Sequence, residues 1–131
     1  MRAVLVGRRK VSARKTCDLY FSKVVRLRGV CERCGAPPPH EAAHIIRRRH
    51  VGDPDGVGLR WNEDNAWCLC KPCHTTVDTD VLQYAELLVA TIGVKKYDEL
   101  IAVKNAPHRP WRERDWVKER ARLLEILKAS A

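Results

Sequence analysis

Two cysteine pairs are the residues whose type and spacing most directly indicate chemistry. Cys31 and Cys34 form one Cys-x-x-Cys pair, and Cys70 and Cys73 form a second. A two-residue gap lets both sulfurs of a pair face one ion, and four thiolates complete a tetrahedral zinc site. The pattern therefore predicts a structural zinc. Because four thiolates leave no open coordination position, we expect this zinc not to be catalytic.

Other uses of the same cysteines stay open at this stage. An iron site of the rubredoxin kind takes the same ligands, and a redox dithiol takes one such pair. Neither explains the basic charge of the chain or the histidines between the pairs. The two remaining cysteines, Cys17 and Cys68, are expected to be small buried side chains.

Three further polar residues stand at informative places. His44 lies in a short apolar stretch, Asn65 ends a long loop, and His74 directly follows the last cysteine of the second pair. A lone histidine on a strand is more often a packed, hydrogen-bonded side chain than a catalyst, and a histidine after a cysteine can simply support the zinc. Taken together with the cysteine pairs, the three residues form a candidate active site.

The sequence AHII from Ala43 and the sequence NAWCLCKPCH from Asn65 resemble the HNH endonuclease motif. In that motif a strand histidine, an asparagine after a loop and a histidine opening a helix surround one metal ion. The Leu-Cys-x-x-Cys-His ending, which closes at His74, is its most specific part. The resemblance implies a ββα-metal core that the zinc holds together.

A second resemblance covers most of the first hundred residues. The sequence DLYFSKVVRLR from Asp18, the Cys-x-x-Cys-Gly segment from Cys31 and the Leu-Arg-Trp segment from Leu59 are similar to the NinG (Rap) recombination proteins of lambdoid phages. This resemblance implies a DNA endonuclease that acts on branched DNA in phage recombination. It also implies a phage protein working in the cytoplasm of a bacterial host.

The resemblance suggests roles for the three residues. Hydrolysis of a phosphodiester needs a base for the attacking water and a cation for the developing negative charge. His44 is the expected base, because an imidazole titrates near neutrality. His74 is expected to hold a catalytic Mg²⁺ or Mn²⁺, and Asn65 to fix the loop or orient the base.

One position departs from the HNH pattern. Many HNH sequences carry an acid or a second histidine directly before the strand histidine, and here that residue is Ala43. Glu41 is the nearest acid and a candidate ligand. In a regular strand it points to the face opposite His44, so we expect it to reach the metal only through a bulge or an early turn. The alternative is a solvent-exposed turn acid.

The charge of the chain favours a polyanionic partner. Lys and Arg outnumber Asp and Glu by 25 to 16 among 131 residues, a net charge of +9. The basic residues are concentrated near the N-terminus and in the consecutive arginines at positions 47–49. Such clusters are typical of nucleic-acid-binding proteins, although a merely soluble basic surface is the alternative. His50 is expected to be a solvated loop residue. The candidate DNA-binding residues are Arg47, Arg48, Arg49 and Arg60.

The hydrophobic pattern predicts an α+β fold that is mainly helical, in which flanking helices pack around the zinc-stapled core. We expect one domain over residues 1–131, comprising a basic extension and helix (1–30), the zinc and HNH core (31–78) and C-terminal helices (79–131). The predicted elements are a helix over Thr16–Arg28, strands over Ala42–Ile46 and Ala66–Leu69, a loop over His50–Asn65, and helices over Pro72–Thr76, Val81–Ile92, Tyr97–Val103 and Asp115–Leu127.

The remaining expectations concern partners and alternative functions. No apolar run approaches the roughly 18 residues that span a bilayer, so we expect a soluble intracellular protein without a membrane partner. The last helix could pack on the core or on a second subunit, and coordinated cutting of a four-way junction would call for a homodimer. The alternative functions are a non-catalytic zinc module that binds DNA and an HNH nuclease of the packaging or homing type.

Overall fold

The computed structural model describes residues 5–6, 9–10, 12–47 and 56–131. The described part is mainly helical, as predicted, with two small antiparallel pairs of strands. Its elements are β1 (Leu5–Val6), β2 (Arg9–Lys10), α1 (Ala13–Arg26), β3 (Glu41–His44), β4 (Ala66–Leu69), α2 (Lys71–Thr79), α3 (Val81–Thr91), α4 (Gly93–Asn105) and α5 (Glu113–Ala129), with 3-10 helices at Gly56–Trp61 and Glu63–Asn65.

Helix α1 begins earlier than the pattern predicted. Ser12, not Thr16, is the N-cap, and its hydroxyl accepts a hydrogen bond of 3.2 Å from the backbone N–H of Lys15. The hydroxyl of Thr16 lies inside the helix and donates to the carbonyl oxygen of Ser12 at 3.0 Å. Past the helix end, Gly29 has a φ of +82°, which is the left-handed conformation that glycine adopts without strain.

Strands β3 and β4 and helix α2 form a ββα unit. The strands pair antiparallel, with Glu41 opposite Leu69 and His44 opposite Ala66. Strand β4 has its predicted bounds, whereas β3 starts and ends earlier than the predicted Ala42–Ile46 strand. Helix α2 follows β4 at once, begins at Lys71 rather than Pro72, and runs to Thr79 rather than Thr76.

The core lies on both faces of the β3–β4 ribbon. On one face the two strands pack with α2 and α3 through Ala43, Trp67, Val77 and Leu88. On the other face, α1 and α5 pack around Trp61. Gly58 in the first 3-10 helix has a φ of +85°, and a Cβ there would lie 3.1 Å from the Trp111 ring. A larger residue at this position would therefore crowd the Trp111 ring as well as strain the backbone.

Helix α5 packs on α1 of the same chain. Leu123 is fully buried against the cluster that contains Phe21 and Val25 of α1, and Trp116 and Leu127 lie at its edge. The apolar stripe predicted for the last helix therefore belongs to the core. Among the described residues, none of the helices has the length and apolar character needed to cross a membrane.

Candidate functional site

The first cysteine pair lies in a tight turn after α1. The backbone N–H of Gly35 donates to the carbonyl oxygen of Cys31 at 2.8 Å, and the N–H of Cys34 points at the Cys31 sulfur at 3.5 Å. Gly35 has a φ of +75°, which glycine tolerates best. The turn brings the two sulfurs to the same side.

The second pair opens α2 and meets the first. Cys70 is the N-cap of the helix and Cys73 lies in its first turn. The four sulfurs of Cys31, Cys34, Cys70 and Cys73 all lie within 4.8 Å of one another, and those of Cys34 and Cys70 are 3.7 Å apart. Zinc–sulfur bonds of about 2.3 Å in a tetrahedron place the sulfurs about 3.8 Å apart. The predicted four-cysteine cluster is thus confirmed, and its geometry fits a zinc ion.

The thiols ionise unequally, as expected of crowded metal ligands. Burial raises the pKa of Cys31, but backbone N–H groups of Cys34, Cys70 and Arg33 outweigh it and lower the pKa to about 6. Burial and the neighbouring sulfurs raise the pKa of Cys73 to about 12 against the lowering effect of Arg33. Accumulating negative charge on four close sulfurs is unfavourable without a cation. A bound divalent ion would relieve that repulsion.

The other two cysteines lie outside this cluster. Cys17 and Cys68 are fully buried, as predicted. The Cys17 thiol donates to the carbonyl oxygen of Trp116 at 3.3 Å, which ties α1 to the start of α5. Both side chains therefore belong to the packing of the fold.

His44 ends β3 and is oriented by two neighbours. Its Nε2 donates a hydrogen bond to the backbone carbonyl oxygen of Arg60 at 2.6 Å. The imidazole stacks on Phe21 of α1, with ring centroids 5.5 Å apart and an interplanar angle of 21°. Because a carbonyl can only accept, Nε2 carries the proton, and in the neutral ring Nδ1 is the basic nitrogen.

Asn65 is fully buried and joins the two ends of the loop that connects β3 to β4. Its Oδ1 accepts from the backbone N–H of Ile46 at 2.7 Å, while its Nδ2 donates to the carbonyl oxygens of Ile46 and Leu59, each at 3.1 Å. The amide thus satisfies three backbone groups in the core. This is the arrangement expected of a residue that fixes the loop.

His74 lies between two carboxylates in the first turns of α2. Its Nδ1 is 2.8 Å from Oε1 of Glu41, and its Nε2 is 3.5 Å from Oδ2 of Asp78, one turn further along the helix. Glu41 makes this contact from a regularly paired strand, without the bulge that was one of the two ways in which we expected it to reach a metal ion. The face of Glu41 is the face on which α2 packs, and the side chain therefore reaches His74 directly.

These contacts place the predicted residues in two groups. Glu41 and Ala43 share one face of β3, and His44 projects from the other, because neighbouring strand residues alternate. Ala43 is buried against the cysteines and Trp67. Among the described residues, the four cysteines are the one set of three or more ligand side chains drawn within 4.8 Å, so Glu41, His74 and Asp78 are less tightly clustered.

The four predicted DNA-binding arginines have different surroundings. Arg47 is about one-third exposed, and its Nη2 lies 3.1 Å from the carbonyl oxygen and 3.3 Å from the carboxylate of Asp78. The Arg60 side chain is 6% exposed, and its guanidinium forms a two-pronged ion pair with Asp18 at 2.9 and 2.6 Å. Phosphate binding by Arg60 stays a prediction, but these contacts give it a role in the core. Arg48 and Arg49, like His50, lie outside the described residues.

Several supporting residues were not predicted from the sequence. Asp18 also accepts from Nε1 of Trp61 at 3.1 Å, so one carboxylate fixes two consecutive residues of the loop. Arg28 donates to the carbonyl oxygens of Glu63 and Ala66, each at 2.7 Å. Asp78, whose carboxylate lies near the His74 ring, was likewise not predicted. An acid one turn after a helical histidine was the available signal for Asp78, whereas the other contacts join residues far apart in sequence.

Comparison with known families agrees with the second sequence resemblance. Residues 20–131 match the family described as Bacteriophage Lambda NinG protein. Searches of the curated proteins and of the solved structures found no match to the chain. The matched range contains both cysteine pairs, His44, Asn65 and His74. The chain therefore belongs to the phage lambda NinG family.

Proposed function

We propose that this protein is a metal-dependent DNA endonuclease of the HNH type that hydrolyses phosphodiester bonds. The observation that carries the proposal is the ββα unit, in which His44 ends the first strand, Asn65 closes the loop and His74 lies in the first turns of the helix. His44 and Asn65 have hydrogen bonds that suit their proposed roles. The metal-holding role of His74 also calls on Glu41 and Asp78. The family of the chain adds phage recombination on branched DNA as the proposed setting.

His44 is the proposed general base. Its Nε2–H is held by the Arg60 carbonyl oxygen at 2.6 Å, and Nδ1 is the nitrogen that we propose takes a proton from the attacking water. The water oxygen forms a bond to phosphorus, one phosphorus–oxygen bond of the DNA strand breaks, and the water proton passes to Nδ1. A positioned base of this kind contributes about 10²- to 10⁴-fold to a rate.

Glu41, His74 and Asp78 are the residues that would hold the catalytic ion. Two carboxylates beside one imidazole suit Mg²⁺ or Mn²⁺, which prefer oxygen ligands. When bound, such an ion stabilises negative charge on the phosphate. The carboxylates approach opposite ring nitrogens of His74, so binding of an ion requires these side chains to shift towards each other. The HNH pattern often has an acid at the position that Ala43 occupies here. Glu41, two residues earlier, would take the place of that acid.

Sequence-independent affinity for DNA is the proposed role of the basic residues. The net charge of +9 favours a polyanion, and arginine pairs with phosphate through two parallel hydrogen bonds. Arg47 is next to the ββα unit and one-third exposed. With Arg48 and Arg49 it forms the proposed phosphate-binding segment, whereas Arg60 is proposed to act through its backbone carbonyl.

A non-catalytic zinc module that binds DNA is the second candidate function. The observation that favours it is the separation of the site by the β3 strand, with Glu41 and His74 on one face and His44 on the other. In that case the cysteine cluster would stabilise the ββα unit, and DNA binding would not depend on Mg²⁺. An HNH nuclease of packaging or homing type would share the catalytic residues and differ in the DNA that it cuts.

The proposed function is tested by incubating purified protein with end-labelled four-way-junction and linear duplex DNA. Zinc-loaded protein is assayed with added Mg²⁺, with added Mn²⁺ and without either ion. Cleavage that depends on the added ion supports the nuclease, and faster cleavage of the junction supports action on branched DNA. Tight binding without cleavage under all three conditions would leave the zinc-containing DNA-binding module as the function.

A further inference from the structure

A cavity opens beside the candidate metal residues, between the end of the β3 segment and helices α2, α3 and α4. Its volume is about 440 Å³, within the range of roughly 300 to 1,000 Å³ that is usual for ligand clefts. Most of its wall is apolar, with Ile45, Val77 and Ile101 among the lining residues. The cavity is therefore large enough and apolar enough for a flat organic group.

Two tyrosines make part of the wall aromatic. Tyr84 and Tyr97 both line the cavity. Tyr84 is fixed, since its hydroxyl donates to the carbonyl oxygen of Ile45 at 2.6 Å and its ring meets Trp67 edge to face at 5.3 Å. Aromatic side chains held in place in this way are stacking platforms for nucleobases, and such stacking tolerates any base.

Three of the residues that line the cavity are charged. Arg47 and Lys104 contribute two cationic groups, and Asp78 contributes one carboxylate. The same Asp78 carboxylate lies 3.5 Å from Nε2 of His74. The Arg47 guanidinium lies 3.3 Å from the Asp78 carboxylate, so an anionic chain entering the cavity would meet Lys104 and would share Arg47 with Asp78, next to the residues that we propose hold the catalytic ion.

We infer that this cavity takes an unpaired nucleobase of a DNA strand, with Arg47 and Lys104 binding the adjacent phosphates. The inference rests on the proposed function, because it places the strand to be cut at the ββα unit. A base inside a duplex has to be unstacked before it can enter a pocket, whereas a base at a bulge, flap or branch is already available. The cavity thus gives the protein a preference for DNA with unpaired nucleotides.

Two matched substitutions on α3 test the inference. Val81 lines the cavity and is 81% exposed, while Val89 is 61% exposed on the same helix and is absent from the described lining. Val81→Glu places a carboxylate at the mouth of the cavity, and Val89→Glu makes the same change outside it. Because both side chains are exposed, neither change disturbs the core. Both are made in a zinc-loaded His44→Ala background, so that binding is measured without cleavage.

The ligand is a duplex with a short single-stranded flap that carries 2-aminopurine, whose fluorescence reports on the stacking of that base. We expect the parent and Val89→Glu proteins to bind the flap more tightly than plain duplex and to change the fluorescence. Val81→Glu should weaken flap binding by about tenfold and abolish the change, with duplex binding equal to that of Val89→Glu. Equal flap binding by the two variants, or unchanged fluorescence with the parent protein, would overturn the inference.

The outcome is separable from that of the proposed function, because cleavage by the wild-type protein is measured in a different assay. Base capture without cleavage would refute the nuclease and keep the nucleobase site. Cleavage combined with equal flap binding by the two variants would refute the nucleobase site and keep the nuclease.

Discussion

The imidazole Nε2 of His44 donates a 2.6 Å hydrogen bond to the backbone carbonyl oxygen of Arg60. The bond joins the end of β3 to the first 3-10 helix, Gly56–Trp61, of the segment between β3 and β4. The Arg60 side chain is in turn held by Asp18 of α1, and Phe21 of the same helix stacks on the imidazole. Helix α1 thus sets the orientation of the proposed base from both sides.

Loss of the Asp18 carboxylate should destabilise this arrangement. Asp18→Ala removes the two-pronged partner of the nearly buried Arg60 guanidinium, and loss of such charge-assisted hydrogen bonds costs about 2 kcal/mol. Urea unfolding measures the change in the free energy of unfolding. Asp98→Ala, an exposed acid on α4, is the matched control and should change little. A loss no larger than in the control would contradict the structural role of the Asp18–Arg60 pair.

Removal of the Asn65 amide should also destabilise the fold. Asn65→Ala leaves the backbone N–H and carbonyl of Ile46 and the carbonyl of Leu59 without this partner in the core. Unsatisfied buried groups cost about 1 to 3 kcal/mol each, so we expect a total loss of about 3 kcal/mol after local relaxation. Thermal and urea unfolding measure it beside the exposed Asn105→Ala. Equal stability of the two variants would show that Asn65 does not hold the loop.

The cysteine cluster predicts one zinc per chain. Cys34→Ala removes one of the four sulfurs and should reduce both the bound zinc and the melting temperature, because metal binding contributes to folding free energy. Cys68→Ala removes a buried cysteine outside the cluster and should retain the zinc with only a modest loss of stability. Elemental analysis after gel filtration gives the stoichiometry. Full zinc in Cys34→Ala, or iron in place of zinc in the wild type, would contradict the assignment.

Glu41 should affect the requirement for the catalytic ion. Glu41→Gln replaces the carboxylate that lies 2.8 Å from Nδ1 of His74 with a neutral amide. We expect the Mn²⁺ concentration for half-maximal cleavage to rise about tenfold or more, with zinc content unchanged. Glu125→Gln, on the exposed surface of α5, is the control. If the two variants need the same Mn²⁺ concentration for half-maximal cleavage, Glu41 is not a ligand of the ion.

The parts of the fold that could be predicted from sequence depend on local signals. The bounds of β4 follow from an apolar run that stops at Cys70, and the cysteine cluster follows from the spacing within each pair. The start of α1 was placed at the wrong hydroxyl residue, because Ser12 and Thr16 are one helical turn apart and both suit an N-cap. Only the backbone geometry separates the capping residue from the one inside the helix.

The site was harder to predict because its contacts depend on how elements pack. Alternation along β3 correctly places Glu41 on the face of the strand opposite to that of His44. It does not reveal that α2 packs on the Glu41 face and brings His74 to it. Arg60 was predicted as a phosphate contact from its charge and from its place beside the candidate site. Its partner Asp18 lies 42 positions earlier, a separation at which no sequence spacing indicates an ion pair.

The central claim is tested most directly by single-turnover cleavage with the His44→Ala protein. The assay uses saturating protein and Mg²⁺ or Mn²⁺ on the DNA that the wild type cuts fastest. His108→Ala, which changes an exposed histidine between α4 and α5, is the matched control. We predict a loss of about 10²- to 10⁴-fold in His44→Ala, with zinc content and DNA binding retained, and no loss in His108→Ala. A His44→Ala protein that cuts DNA at the wild-type rate would contradict the account.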